Sequence, residues 1–187
     1  MIYLKDVSGE IDQGDILYPI KIKEWLPWWL DKKEYPIIIM TPSCDIFNNK
    51  ANHHRFPVLE PFPLFVLKIS KDITGEDNID YKSMSKKKYD KIKQKLNQAI
   101  SNSWPRYHFL PADSNIIKTD RIIDFELLIS VPISSFSPGL KVSRLASPFK
   151  EELIHRYAHH GMRIGTPDIP KQEVDRIISK HLPTRNI

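Results

Sequence analysis

The most distinctive group of reactive side chains is Thr41-Pro42-Ser43-Cys44-Asp45, followed shortly by His53-His54-Arg55. Hydroxyl, thiol, carboxylate, imidazole and guanidinium groups occur together here, and three chemistries compete for them. In the first, Cys44 is a nucleophile, His53 or His54 is its base, and Asp45 or another acid orients the imidazole. In the second, Cys44, Asp45 and one of these histidines bind zinc, with His159 or His160 as a further ligand, although the spacing is that of no known finger. In the third, the segment contacts nucleic acid: Arg55, His53 and His54 face phosphates, and Ser43 or Thr41 lies near a 2′-hydroxyl. Against all three stands a purely structural reading, a buried Cys44 and an Asp45 that caps the following turn through its own backbone. For Cys44 that structural reading is the default.

Other groups offer binding chemistry. Lys86, Lys87, Lys88, Lys91, Lys93 and Lys95 crowd one stretch and could follow a phosphate backbone as mobile point charges, or simply make a solvated helix face. Trp104, Arg106, Tyr107 and His108 come next, and aromatics interleaved with a cation suit base stacking as well as a core or hinge. Trp25, Trp28 and Trp29 either seal the core or form an aromatic patch for a protein partner. His155 and His159, four apart, share a helical face and could ligate a metal, but no glutamate of the His-Glu-x-x-His type accompanies them. Arg144, Arg156 and Arg163 are expected to converge on an acidic ligand or a partner protein.

The elements that must position these groups start with β structure. Gly14-Asp15 signals a turn into a strand over 16–22, with Pro19 confining it to an edge or bulge. The tryptophan segment 25–30 reads as a loop or short helix. Pro36 to Thr41 reads as a buried strand, and 56–60 and 64–69 as two more. A surface loop over 71–81 precedes a helix from Ser85, its N-cap, to about 103, with an apolar stripe at Tyr89, Ile92, Leu96, Ala99 and Ile100. Strands are predicted again at 107–110, 122–129 and 141–145. A helix opening at Ser147-Pro148 and stopping at Gly161 comes next, then a short one over 170–181.

Composition sets the outer limits. The chain has 187 residues, 41% of them hydrophobic, enough for a core, and a single cysteine, which excludes a disulfide framework and a multi-cysteine zinc module. No apolar run reaches the roughly 18 residues of a membrane span, so a cytoplasmic protein without membrane contact is expected. The net charge of +5 and pI near 9.2 lean toward an acidic partner such as nucleic acid.

Gln13-Gly14-Asp15-Ile16-Leu17, the strand from Pro36 to Thr41, and Phe56-Pro57-Val58-Leu59-Glu60-Pro61 together resemble the MazF/PemK group of SH3-like barrels over about residues 12 to 63. The resemblance implies a metal-independent toxin-like endoribonuclease of a toxin–antitoxin system, cutting single-stranded RNA with an arginine and a threonine or serine. The arginine that the group places just before its second-strand proline is absent: Glu34-Tyr35 precede Pro36. Arg144-Leu145-Ala146-Ser147-Pro148-Phe149-Lys150 and Met162-Arg163-Ile164-Gly165-Thr166-Pro167 are similar to the ending of a group of uncharacterised bacterial proteins, which implies a lineage and no activity.

The expected fold is therefore α+β: a small twisted antiparallel sheet or SH3-like barrel over 1–146, with a lysine-rich helix inserted around 83–104, and a helical extension over 147–187 packed on it. The leading function is a bacterial nucleic-acid-associated module, contacting RNA rather than DNA through Lys86, Lys87, Lys91, Lys95, Trp104, Arg106 and Tyr107. As an enzyme it would use Arg55 for the phosphorane charge, Ser43 or Thr41 for the 2′-hydroxyl and His53 or His54 as acid or base, with no metal or cofactor. The competing classes are a non-catalytic regulatory subunit working through protein contacts, and a hydrolase centred on Cys44 and Asp45 or on zinc.

Overall fold

Gly14 takes a left-handed φ of 83° and turns the chain into its first core strand. The computed structural model describes residues 2–4, 10–17, 36–48, 50, 52–113, 117–135 and 141–163. The strands in chain order are β1 (Tyr3–Leu4), β2 (Asp15–Leu17), β3 (Ile37–Ile38), β4 (His53–Pro57), β5 (Glu60–Pro61), β6 (Tyr107–Leu110), β7 (Arg121–Asp124), β8 (Leu128–Pro132) and β9 (Lys141–Leu145). The helices are α1 (Ser43–Phe47), α2 (Phe62–Thr74), α3 (Lys86–Ile100) and α4 (Phe149–Arg163).

The architecture is mixed α and β with antiparallel sheets: a four-stranded sheet ordered β1-β9-β2-β3, a pair β4-β8, and a three-stranded sheet β5-β7-β6. Among the described residues none of these closes into a barrel. Main-chain bonds from Met40 N–H to the Arg55 carbonyl and from Leu59 N–H to the Pro36 carbonyl carry the four-stranded sheet on toward β4. These hydrogen bonds flank the reactive segment 41–55, and Ile46 within it packs against the apolar cluster of β3 and β4.

Three apolar clusters make the core. Ile16, Ile38, Leu59, Ile123 and Leu153 belong to the first, which fastens α4 to the sheets. Leu17, Ile37, Ile39, Phe56 and Val131 form the second, between β3 and β4-β8. Phe65, Ile69, Ala99, Tyr107 and Ile122 form the third, under α2 and α3. Each large side chain so buried contributes about 1.5–3 kcal/mol relative to leaving it in water.

Several sequence expectations are corrected. The predicted strand 64–69 is the middle of α2: Phe65 and Ile69, one turn apart, both face the core, a proline sits at the helix start, and Gly75 ends it in the left-handed region. The run 122–129 divides into β7 and β8, because residues 125 and 126 turn the chain. Gly161 does not stop α4, which continues to Arg163. The Ser147-Pro148 peptide is cis, and the helix begins one residue later at Phe149. In α3 the Ser85 hydroxyl accepts the Lys88 N–H as expected. Tyr89 and Ile100 of its apolar stripe are exposed, so only Ile92 and Ala99 are fully inside. The tryptophan segment and the helix at 170–181 lie outside the described residues.

Candidate functional site

Three sequence motifs that are far apart in the chain meet at one junction. β2 lies between β3 and β9, which sets Asp15 opposite Arg144. The Arg144 guanidinium grips the fully buried Asp15 carboxylate, Nε to Oδ1 at 2.6 Å and a terminal nitrogen to Oδ2 at 3.2 Å. Asp15 Oδ2 also accepts the Asp12 N–H at 2.8 Å. Asp12 in turn stands 3.7 Å from Arg144 and 3.8 Å from Lys150 Nζ. The Gln13 side-chain amide donates to the Met40 carbonyl at 3.1 Å. Lys150 passes so close that a Cβ on Gly14 would stand 2.8 Å from its Cγ and Cδ.

This junction reaches the reactive segment through Ser43, whose hydroxyl donates to Asp12. Burial alone would raise the Asp12 carboxyl. The Ser43 and Gln13 hydrogen bonds, with the Lys150 and Arg144 charges, outweigh burial and hold it below the ordinary carboxylate range. The charges at the junction balance one another, so its arrangement is that of a clasp closing the sheet.

At the far side of Ser43, α1 displays Cys44. The expectation of a buried structural thiol is overturned: Cys44 is exposed, and its sulfur lies 3.7 Å from Asp45 Oδ1. No side chain caps the start of α1, whose N-cap is Pro42, while the Asp45 carbonyl accepts the Lys50 N–H at 2.9 Å across the turn that follows, as expected of its backbone. Among the described residues no group of three or more histidine, cysteine, aspartate or glutamate side chains can hold a metal ion.

β4 alternates, as a half-buried strand must. His53 and Arg55 point outward on one face, while His54 and Phe56 are buried on the other. His54 therefore does not join Arg55 at a common surface, and its burial lowers its pKa. Thr41 is buried too, and its Oγ1 accepts the Arg55 N–H at 2.7 Å. Both hydroxyls proposed to serve a 2′-oxygen are thus tied into the frame, Thr41 to Arg55 backbone and Ser43 to Asp12.

The basic stretch divides by position. Lys86, Lys87, Lys91 and Lys93 are exposed on the outer side of α3. Lys88 pairs with Glu76 at 3.2 Å, and Lys95 sits over the Trp104 ring, 4.5 Å from its centroid. The expected stacking residues are occupied. Tyr107 is buried, with the Trp104 ring edge-on against it at 4.7 Å. Arg106 binds Asp124 with two nitrogens, at 2.8 and 2.7 Å, and also pairs with Glu126. These contacts tie the entry of β6 to β7, with the Tyr107 ring buried and Trp104 and Arg106 half-buried.

Arg144 and Arg156 do not converge. Arg144 belongs to the clasp, whereas Arg156 bonds main-chain carbonyls of the α3–β6 turn: Asn102, Trp104 at 3.3 Å and Tyr107 at 2.7 Å. The Arg163 side chain lies outside the described residues, as do Trp25, Trp28 and Trp29.

The pairing that makes the clasp, and the part of Asp12 in it, escape sequence reasoning. Asp12 adjoins the Gln13 to Leu17 motif and Lys150 ends the Arg144 to Lys150 signature, but no periodicity links positions so far apart. Among the described residues no helix is long and apolar enough to cross a membrane. Comparison with known protein families and with curated proteins finds no match to this chain.

Proposed function

We propose that this protein is a nucleic-acid-binding module that holds RNA by its phosphate backbone and does not cut it. One observation carries the reading: Lys86, Lys87, Lys91 and Lys93 stand exposed on α3 with no ion pair among the described residues. Asp90 is the one acid in that helix. Uncompensated lysines on one rigid element attract a polyanion, and each phosphate contact releases counterions. The outward Arg55 adds a second cationic group on β4, with His53 beside it on the same face.

Binding is favoured over cleavage because a phosphorane needs a guanidinium, an acid–base group and a hydroxyl at one place. Here Arg55 and His53 share a face, but Thr41 and Ser43 are each held in a structural hydrogen bond. The preference for RNA over DNA rests on the resemblance of residues 12–63 to the MazF/PemK barrels. The same resemblance would make the β1-β9-β2-β3 sheet, continued toward β4, an open counterpart of that barrel.

The test is binding and cleavage of single-stranded RNA and DNA read on one gel, for the wild type and Arg55→Ala. The proposal expects a shifted band, tighter with RNA, and intact RNA throughout. RNA cleavage lost in Arg55→Ala would instead establish the endoribonuclease. Absence of any shift at low salt would remove nucleic acid and leave the regulatory subunit that acts through protein contacts.

A further inference from the structure

An open cavity of about 260 Å³ lies between the turn that joins α3 to β6 and the outer face of α4, lined by Asn102, Ser103, Pro105, His155, Arg156 and His159. Three of its six lining residues carry basic side chains and none carries a carboxylate. His155 and His159 are one helical turn apart, so both rings reach the same space.

Arg156 supplies the reason an anion belongs there. Its two terminal nitrogens donate only to neutral carbonyls, those of Asn102, Trp104 and Tyr107. Its Nε is buried and has no hydrogen-bond partner. Among the described residues no carboxylate forms an ion pair with it. Burial lowers the guanidinium pKa and Glu152, one turn back on α4, offsets this only in part. A cation that is partly withdrawn from water and lacks a counter-ion makes a positive potential at the cavity wall.

Polar groups suited to an oxyanion stand beside it. Asn102 takes the Phe109 N–H on its Oδ1 at 2.8 Å, which leaves the amide nitrogen as a donor. The two imidazoles each bring an N–H donor. The opposing charges are Glu151 and Glu152, which precede His155 and Arg156 by one turn, are exposed, and do not line the cavity. A metal is less suited than an anion, since two histidines beside a guanidinium provide no third ligand. At this volume the site falls below the roughly 300–1,000 Å³ of drug-sized pockets and matches one small charged group.

We propose that this cavity binds a phosphate group, with His155 and His159 donating to its oxygens and Arg156 supplying the compensating charge. The group is either free phosphate or the terminal phosphate of a nucleic acid strand. The proposal stands apart from the lysine face of α3, since none of the exposed lysines lines the cavity.

Inorganic phosphate titrated into the full chain, with the histidine ring signals followed by NMR and chloride at matched ionic strength as control, tests it. The expected result is a saturable shift of the His155 and His159 signals with phosphate and none with chloride. The variant His155→Ala/His159→Ala, at two exposed positions, should weaken phosphate binding read by titration calorimetry about tenfold or more, equal to about 1.4 kcal/mol. Shifts that fail to saturate, that chloride reproduces, or an affinity unchanged in the double variant would overturn the site. In a competition arm, a 5′-phosphorylated oligonucleotide displacing phosphate better than its 5′-hydroxyl form assigns the strand end. Displacement by neither form assigns the free ion, and either of these results supports the phosphate chemistry; equal displacement by both would mean that internal backbone phosphates compete and would overturn the assignment.

Discussion

Asp15 and Arg144, 129 positions apart in sequence, face each other across the β2–β9 register and are joined by two charge-assisted hydrogen bonds. Asp15 is completely buried while the Arg144 side chain keeps about a quarter of its surface exposed. The pair therefore joins β2 to β9, the neighbouring strand that comes last in the described chain order. Through Asp12 and Lys150 it also ties in the start of α4.

Removing one partner of a buried pair leaves an uncompensated charge, at a cost of about 3–5 kcal/mol. Arg144→Met is expected to lose close to that much in urea unfolding. Gly14→Ala should also destabilise, since it would force a Cβ at positive φ into the Lys150 chain. A loss under about 1 kcal/mol for Arg144→Met would show that the clasp does not hold the sheet.

Thr41 is predicted to be a frame residue. Thr41→Val keeps its shape and removes the acceptor of the Arg55 N–H. Without that acceptor the protein should be about 1–3 kcal/mol less stable, with faster hydrogen exchange at the Arg55 amide. Unchanged exchange would mean the hydroxyl is free for other work.

Stability should fall on the acid side because of His108. Burial, with the Arg156 charge adding to it, pushes the imidazole down to about 3 in the folded protein, from 6.5. The folded state thus keeps this ring neutral while the unfolded chain takes up a proton as the pH drops through 6.5. Its contribution is complete above 6.5 and is lost progressively toward pH 3, by up to about 1.4 kcal/mol per pH unit. The depressed Asp12 carboxyl adds a further loss below its ordinary range. Urea unfolding from pH 8 to 4 should show this slope, and His108→Phe should flatten it; an equal slope in both proteins would refute the assignment.

Cys44 should behave as a surface thiol. A thiol reagent is expected to modify it stoichiometrically in the folded protein, and Cys44→Ala should change stability by less than about 0.5 kcal/mol. Protection of the thiol until unfolding would restore the buried reading.

Local chemistry was legible in the sequence where a single element decides it. Ser85 capping α3, the strand at 107–110 and the strand at 141–145 all follow from cap chemistry or short apolar runs. The segment 64–69 was not, because Leu64-Phe65-Val66-Leu67-Lys68-Ile69 satisfies strand and helix patterns alike, and only packing of Phe65 and Ile69 against Tyr107 and Ala99 decides it. The candidate site was legible as residue types but not as geometry. Whether His53 or His54 faces outward depends on strand phase, and a slip of one residue would exchange them. The phosphate cavity combines a histidine pair visible in the sequence with an arginine whose isolation depends on three carbonyls of a distant turn.

The central claim is that the lysines of α3 bind nucleic acid, and the salt dependence of RNA binding tests it most directly. Fluorescence anisotropy with single-stranded RNA over a salt series should give a log–log slope that is clearly negative. Lys87→Glu/Lys91→Glu should weaken binding and make that slope shallower by about 0.7 for each phosphate no longer neutralised. Binding and slope identical to wild type in the double variant would contradict the account.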